Sequence, residues 1–293
     1  MRVWLAGLRM VGMCAYLVGV LILTAGFFPW FSQSWRGRNT RRWARLLLWI
    51  TGVRLRVSGR ELPEALACTG VEAWSQGRLV LANHVSWLDI FAIDAALPAR
   101  FIAKAEIGRW PLVGWMVTAA GTLYIERGRR HAVASMNDHV AAHLKQGETV
   151  AVFPEGTTTA GDTLLPFHSN LVAPAIEVGC EIWPVALRYR EAGRPSSTPA
   201  YVGDVSLLAS VWRIVSARQL EVEVAFLPAV PARDATRHAL TEAARQSVAA
   251  HLGLAVEPRR RAAERRLRPE ADPGPGLADS APETPLDPAG ESR

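Results

Sequence analysis

The chain has 293 residues, of which 49% are hydrophobic and 20% are charged. This composition excludes a chain that is disordered throughout, because it supplies ample apolar surface for a globular core. The formal net charge of +6 favours anionic partners such as phospholipid headgroups, although charge alone does not separate these from nucleic acid or an acidic carrier protein.

An uncharged apolar stretch, residues 11–30, lies near the N-terminus. Its length is about the 20 residues that a helix needs to cross the hydrocarbon layer. A cleaved signal peptide fits less well, since the stretch is longer than the usual apolar region and no small-residue cleavage site follows it. Arginines are denser after the stretch than before it, and the more cationic flank normally stays in the cytoplasm. The pattern predicts a membrane anchor, with the rest of the chain at the cytoplasmic face of the inner membrane.

A second apolar stretch, residues 43–53, follows the arginine cluster but is too short to span a bilayer. The two stretches together are typical of a helical hairpin in one leaflet, with arginines on anionic phospholipid headgroups and tryptophans at the interface. A single span and a one-leaflet hairpin both agree with the pattern. Residues 1–53 are therefore predicted to be a membrane-anchoring segment with an Arg-rich flank.

Residues 54–256 alternate short apolar runs with longer amphipathic ones, as an α/β domain does. The predicted strands are 55–57, 78–82, 100–103, 122–126, 149–153, 182–189 and 220–227. The predicted helices are 87–96, 131–146, 170–178, 205–215 and 234–252. Ser86 is predicted to cap the first helix and Gly147 to end the second. Residues 257–293 carry few bulky apolar side chains and are predicted to be a disordered tail rich in Pro and Arg.

One histidine stands where an apolar strand is predicted to end. His84 follows the run 79–82, and Asp89 lies five residues further on, in the first turn of the next predicted helix. Strand ends are where α/β sheets place their sites. A carboxylate bonded to one imidazole nitrogen holds the tautomer and makes the other nitrogen a general base for a hydroxyl proton. The spacing agrees equally with a histidine that only caps the loop.

Two further strand ends carry polar groups. After the strand 149–153 come Glu155, Gly156 and three threonines, where glycine allows close backbone approach to a ligand and threonine supplies donors. After the strand 122–126 comes an Arg-rich segment that begins at Arg127 and suits bidentate contacts with phosphate. Either segment by itself also fits an ordinary turn.

Taken in this order, four segments resemble the motifs of the glycerolipid acyltransferase family of the 1-acylglycerol-3-phosphate acyltransferase (PlsC) type. They are Asn83-His84-x-Ser86-x-x-Asp89, the strand end 124–128, Phe153-Pro154-Glu155-Gly156-Thr157, and the strand 182–187 with a proline near its start. The matches cover residues 79–189. The resemblance implies a single mixed-sheet acyltransferase domain behind the membrane segment.

The resemblance also implies a reaction. His84, oriented by Asp89, deprotonates the free hydroxyl of a lysolipid, which attacks the thioester carbonyl of acyl-carrier protein or acyl-CoA. It implies no metal, cofactor or covalent acyl-enzyme. The residues that it places at the substrates are Arg127, Glu155, Gly156, Thr157, Lys104, Asn83 and Ser86.

The expected acceptor is 1-acylglycerol-3-phosphate, which gives phosphatidate for phospholipid biosynthesis. The family's third motif usually continues with arginine, whereas this chain has Thr158. A threonine hydroxyl offers a neutral hydrogen bond in place of a charged fork, a loss of about 1 kcal/mol or more in phosphate binding. This departure keeps open the alternative of lyso-ornithine lipid or another lysophospholipid as acceptor.

Other functions fit the sequence less well. A serine hydrolase would need a G-x-S-x-G elbow, which the sequence lacks. His139 and His143 are one turn apart on a predicted helix, but without a third ligand they fit a surface helix better than a metal site. Nucleic-acid binding ranks below a membrane surface, because the basic region adjoins the apolar stretch. The alternative of a different class is a non-enzymatic lipid-binding adaptor, for which a base and its orienting carboxylate have no evident use.

Overall fold

A mixed β-sheet lies at the centre of the protein. The computed structural model describes residues 2–26, 33–59, 77–109, 114, 118, 121–125, 130–233 and 235–256. Its strands are β1 (Val53–Gly59), β2 (Arg78–Ala82), β3 (Arg100–Lys104), β4 (Leu123–Ile125), β5 (Thr149–Val152), β6 (Glu181–Glu191), β7 (Arg194–Pro195), β8 (Leu220–Phe226) and β9 (Val230–Pro231). Its helices are α1 (Arg2–Gly26), α2 (Gln33–Thr51), α3 (Leu88–Ala96), α4 (Ala105–Gly108), α5 (Arg130–Lys145), α6 (Ala173–Val178), α7 (Leu207–Ser216) and α8 (Arg237–Leu252). A 3-10 turn, Ser169–Val172, precedes α6.

The described strands form one sheet with the order β1-β8-β6-β2-β5-β3-β4, and β7 and β9 also pair with β6. From β6 to β4 all neighbouring strands are parallel, as expected where helices connect the strands. β8 is antiparallel to β6 and parallel to β1. The predicted mixed α/β sheet is therefore confirmed, and β2 lies at its middle.

β2 is buried along its whole length, because helices cover both faces of the sheet. Its alternate residues point to opposite faces. Leu79 and Leu81 pack in the cluster that includes side chains of α5 and α8. Val80 and Ala82 pack in the cluster that includes side chains of α2 and α3. This two-sided burial holds the carboxyl end of β2, and therefore the loop that follows, in a defined position.

Each strand and helix predicted within residues 54–256 is found, with ends that differ by a few residues. The predicted helix 170–178 is divided into the 3-10 turn and α6, because Pro174 lies in the first turn of α6 and has no N–H to donate backward. α7 and α8 begin later than predicted, after the capping side chains of Ser206 and Thr236. The predicted tail, 257–293, lies outside the described residues.

Both predicted helix-end residues are found at their helix ends. The Ser86 hydroxyl accepts the N–H of Leu88 at 3.3 Å, which is the capping bond predicted for it, although α3 begins at Leu88 with Trp87 directly before it. Gly147 follows α5 with φ of +80°, a left-handed conformation that favours glycine, so its predicted role at this helix end is confirmed.

Two helices precede the sheet. The segment Val3–Leu23 of α1 is long and apolar enough to cross a membrane by length and composition. The helix begins before the predicted stretch and includes Arg9, which donates to the carbonyls of Val215 and Ala217 at the end of α7. α2 contains the arginine cluster and most of the second apolar stretch, and it packs against α1 and α3. The N-terminal helices are therefore attached to the sheet domain through specific contacts.

We expect Leu144→Ala to lower the free energy of unfolding by about 2–5 kcal/mol, because Leu144 is fully buried where α5 packs on the sheet. The matched control is Asp138→Ala at an exposed position of the same helix, for which we expect a change within about 0.5 kcal/mol. Urea unfolding in detergent, followed by circular dichroism, measures both. Equal midpoints for the two variants would contradict the packing described for α5.

Candidate active site

A crevice is expected at the carboxyl ends of two neighbouring strands, β2 and β5. The two strands are adjacent and parallel. The helix that follows β2 packs on one face of the sheet, whereas α6, which follows β5, packs on the other face. Chain connections that diverge in this way create a binding crevice in open α/β sheets. The first and third sequence motifs both lie at this point.

His84 and Asp89 are in direct contact. His84 Nδ1 lies 2.8 Å from Asp89 Oδ2. The same carboxylate oxygen accepts the backbone N–H groups of Val85 at 2.7 Å and Ser86 at 2.9 Å, because the first turn of α3 brings Asp89 back over the strand-end loop. The predicted contact between the carboxylate and the imidazole is confirmed.

The other oxygen of Asp89 contacts a residue that the sequence did not indicate. Tyr189, on β6, donates its hydroxyl to Asp89 Oδ1 at 2.6 Å, and both side chains are buried. Burial, and then the charge of Asp89, raise the pKa of Tyr189 well above its ordinary value, so the hydroxyl remains a donor at neutral pH. Asp89 is therefore surrounded by four donors, as suits an ionised carboxylate, which only accepts hydrogen bonds.

The third motif and the threonines that follow it hold the backbone of His84 from two sides. Glu155 Oε1 accepts the His84 N–H at 2.8 Å, and Thr159 donates its own N–H to the His84 carbonyl at 2.9 Å. The ring of Phe153 stacks on the imidazole, with ring centroids 3.9 Å apart and planes within 10°. The histidine is thus fixed by its backbone, its ring face and its Nδ1.

Glu155 is buried, and both of its carboxylate oxygens accept backbone N–H groups. Its second oxygen, Oε2, accepts the N–H of Leu165 at 2.9 Å. Burial raises the pKa of Glu155 to about 8, and the bonds from Leu165 and His84 act against that rise, as does the charge of Arg245. Arg245 is itself buried and donates to the carbonyls of Leu164 and Leu165. The buried side chains of Glu155 and Arg245 therefore hold the backbone of the loop after the third motif in place through hydrogen bonds.

Two other residues of the first motif are also buried. The Asn83 amide donates to the Leu187 carbonyl at 3.0 Å and accepts the Leu187 N–H at 2.7 Å, which links the end of β2 to β6. The Ser86 hydroxyl contacts the start of α3, as described above. In this geometry Asn83, Ser86 and Glu155 position the backbone around His84, and their contact with substrate stays a prediction.

The remaining residues of the third motif lie closer to solvent. Gly156 has φ of +72°, which only glycine adopts without strain. Thr157 is exposed, whereas Thr158 is half-buried and donates its hydroxyl to the carbonyl of Tyr201. The position at which the family usually has arginine is thus occupied by a neutral side chain that bonds the protein's own backbone.

One of the two predicted cationic residues lies at a neighbouring strand end. Lys104 is the last residue of β3 and pairs with Ile125, the last residue of β4. Arg127 lies outside the described residues. Because β3, β4 and β5 are parallel, Lys104 lies at the same edge of the sheet as the third motif.

The predicted surface helix contains both histidines considered as a metal pair. His143 Nδ1 lies 2.9 Å from Glu148, which precedes β5 at the end of the strand away from His84. Among the described residues there is no group of three or more His, Cys, Asp or Glu arranged to hold a metal ion.

His84 presents one ring nitrogen for chemistry. Its side chain is 20% exposed, and no described residue makes a hydrogen bond with Nε2. An acceptor-only carboxylate at Nδ1 places the proton on Nδ1, which leaves the lone pair on Nε2. The arrangement is able to take a proton from a hydroxyl that approaches the crevice.

Comparisons with known proteins agree with this geometry. A family model described as Acyltransferase matches residues 54–188. A lyso-ornithine lipid O-acyltransferase of Pseudomonas aeruginosa is 35% identical over 254 residues, which are 83% of this chain and 93% of that protein. The chain belongs to the acyltransferase family.

Other members include a 1-acyl-sn-glycerol-3-phosphate acyltransferase of Neisseria gonorrhoeae, 43% identical over 176 residues, which are 59% of this chain and 69% of that protein. The crystal structure of PlsC from Thermotoga maritima matches 92% of this chain and 100% of its own, with a TM-score of 0.58 and 18% identity, which shows a shared fold. The resemblance to acyltransferases of the PlsC type is confirmed, and the protein is an acyltransferase of this kind.

We expect Tyr189→Phe to lower kcat about tenfold with little change in KM. The variant removes one hydrogen bond to a charged group, worth about 1.5 kcal/mol, and each 1.4 kcal/mol changes a rate about tenfold. The pH dependence of kcat should also change. The carboxylate of Asp89 loses the hydrogen bond from Tyr189, and this changes how strongly the same carboxylate binds the imidazole of His84. Steady-state kinetics of acyl transfer across pH measure both effects.

The matched control is Tyr16→Phe, which removes the hydroxyl bond to the carbonyl of Trp43 at 3.1 Å on the N-terminal helices. It should leave the pH profile unchanged. If Tyr189→Phe only lowers thermal stability and keeps the normal kcat and pH profile, its hydroxyl has no part in positioning the pair.

Proposed function

We propose that this protein transfers a fatty acyl group to the free hydroxyl of a lysolipid, at the cytoplasmic face of the inner membrane. The observation that carries the proposal is the His84–Asp89 pair at 2.8 Å, buried on its carboxylate side and open at the imidazole edge. Asp89 accepts four hydrogen bonds, one of them from His84, and thereby holds the imidazole in one orientation. A non-enzymatic adaptor would have no use for a base that is oriented in this way.

The proposed reaction is a direct transfer. His84 Nε2 takes the proton of the lysolipid hydroxyl while its oxygen attacks the thioester carbonyl of acyl-carrier protein or acyl-CoA. The new C–O bond forms, the C–S bond breaks, and the departing thiol recovers the proton from the imidazolium. Asp89 stabilises that imidazolium through Nδ1, as in other His–carboxylate pairs. The proposed steps use no metal, cofactor or covalent acyl-enzyme.

The other predicted site residues have two proposed roles. Asn83, Ser86 and Glu155 are proposed to be positioning residues, because their side chains bond backbone groups that hold the loop around His84. These groups belong to Leu187, Leu88 and His84 itself, respectively. The residues proposed to contact the acceptor are Gly156, Thr157, Lys104 and Arg127. Gly156 and Thr157 are proposed to do so through backbone and hydroxyl donors, and the two cations through headgroup charge.

Two acceptors are candidates, and a separate observation favours each. The Neisseria relative is named for 1-acyl-sn-glycerol-3-phosphate, and Lys104 and Arg127 would suit a phosphate that becomes phosphatidate after transfer. The Pseudomonas relative, of which the chain covers 93%, is named for lyso-ornithine lipid. Thr158 favours this second acceptor, since its hydroxyl is bonded to Tyr201 and supplies no positive charge.

The proposed membrane placement rests on the N-terminal helices. α1 is long and apolar enough to enter the bilayer, and α2 carries arginines that suit anionic phospholipid headgroups. In this arrangement residues 1–53 anchor the protein, residues 54–256 form the catalytic domain, and residues 257–293 form a tail.

We expect the reconstituted full chain to transfer labelled acyl groups from acyl-carrier protein to lysophosphatidate or to lyso-ornithine lipid, offered in separate reactions. His84→Ala should abolish transfer, because it removes the proposed general base, while lysolipid binding is largely kept. The wild-type result identifies the acceptor. Near-normal turnover by His84→Ala would contradict the mechanism, and binding without transfer by the wild type to either acceptor would favour the adaptor.

We expect Thr158→Arg to raise kcat/KM for lysophosphatidate relative to lyso-ornithine lipid by about tenfold, because a hydrogen bond to a charged group is worth about 1.5 kcal/mol. Thr158→Val is the matched control, since it also removes the hydroxyl bond to Tyr201 but adds no charge. It should lower transfer to both acceptors equally. An unchanged acceptor ratio in Thr158→Arg would remove Thr158 as a reason to prefer the second acceptor.

A further inference from the structure

We propose that α7 is a lipid-contacting helix, which lies in the membrane interface beside α1 and holds the catalytic loop at the bilayer surface. The sequence places this helix within the cytoplasmic domain, and the proposed anchor comprises residues 1–53 alone. The inference extends the proposed function by naming a second membrane contact, which is adjacent to the active site.

α7 has one face turned to the protein and one turned outward. Its buried residues are Ser210, Val211, Ile214 and Val215. Most of its outward side chains are also apolar: Leu208 is 70% exposed, and Leu207 and Trp212 are exposed as well, beside the polar Arg213 and Ser216 near its end. A helix on the surface of a soluble domain normally carries polar side chains on its outer face. An outer face that combines leucines with a tryptophan and an arginine near one end is typical of a helix at a membrane interface.

The outer face of α7 continues the apolar surface of α1. Ala6 and Met13 of α1 pack with Val211 and Val215 of α7 in one cluster. Arg9 of α1 donates to the Val215 carbonyl at 2.8 Å, at the carboxyl end of α7. The two helices are therefore held side by side, so a bilayer that receives α1 also meets α7.

Large hydrophobic side chains are exposed on only a few elements of the described surface. Exposed large hydrophobic side chains occur on α1, α2, β1 and α7, and Val256 is the one exception among the described residues. A patch of this extent marks a protein or membrane contact. α1, α2 and α7 contain arginine and no Asp or Glu. Like charges would oppose a second copy on this face, whereas anionic headgroups complement them.

α7 is also connected to the catalytic loop. Trp87, within the first motif, donates its indole N–H to the Ser210 hydroxyl at 3.1 Å. The segment that leads into α7 is bonded to the same loop, since Tyr201 donates its N–H to the Val85 carbonyl at 2.9 Å. Thr158 of the third motif donates to the Tyr201 carbonyl. Contact between α7 and lipid therefore sets the position of His84 relative to the bilayer.

The test measures lipid contact at Leu208 without requiring turnover. The full chain, with Cys14, Cys68 and Cys180 replaced by alanine, carries Leu208→Cys labelled with the fluorophore NBD. It is reconstituted in vesicles of phosphatidylethanolamine and phosphatidylglycerol, with and without nitroxide-labelled acyl chains. Quenching should be about threefold or more stronger than at Ala142→Cys, an exposed position on α5 across the sheet, because an interfacial helix lies about 5–10 Å into the headgroup boundary.

Equal quenching at the two positions would overturn the proposal. So would energy transfer between differently labelled Leu208→Cys chains without quenching, since it would show that a second copy covers this face. Quenching at Leu208→Cys in a protein that transfers no acyl group would refute the proposed function while supporting this inference.

Leu208→Glu gives an independent result in active protein. We expect about tenfold slower transfer to lysolipid embedded in vesicles, and a normal rate with the same lysolipid dispersed as monomers. Equal loss with both forms of acceptor would contradict a role in the membrane interface.

Discussion

The buried carboxylate of Asp89 is the constraint on which the active end of the sheet depends. A buried ionised group must be fully hydrogen-bonded, and Asp89 meets this requirement with four donors from two parts of the chain. His84 and the two following N–H groups come from the loop after β2, and the Tyr189 hydroxyl comes from β6. The hydrogen bonds that this one carboxylate accepts therefore fix three things together: the loop after β2, the imidazole of His84 and the junction of β2 with β6.

The third motif extends the same principle to the backbone. Glu155 and Thr159 bind the N–H and the carbonyl of His84, so that β5 determines where the end of β2 lies. From there, Thr158 and Tyr201 connect the loop to the segment before α7. A continuous set of hydrogen bonds thus leads from the helix proposed to contact lipid to the proposed base, which suits an enzyme whose acceptor enters from a bilayer.

The sequence predicts what depends on neighbours along the chain. His84 and Asp89 are five residues apart at a strand-to-helix junction, so local geometry alone brings them together. Tyr189 is one hundred residues from Asp89, and only the register of β2 with β6 brings it into contact. In the same way, the sequence indicates Glu155 as a polar residue just after the end of a strand. Its bond to the His84 N–H, however, depends on β2 and β5 being adjacent. The helical pattern of α7 is visible, whereas its packing against α1 is a tertiary result.

In the proposed mechanism His84 activates the acceptor directly, without an acyl-enzyme. Rapid quenching of the reconstituted protein with radiolabelled acyl donor, with and without lysolipid, tests it most directly. We expect no protein-bound acyl group when lysolipid is absent, and labelled lipid that forms without a lag when lysolipid is present. Stoichiometric acylation of the protein before any lipid product, followed by release of the label on adding lysolipid, would contradict it.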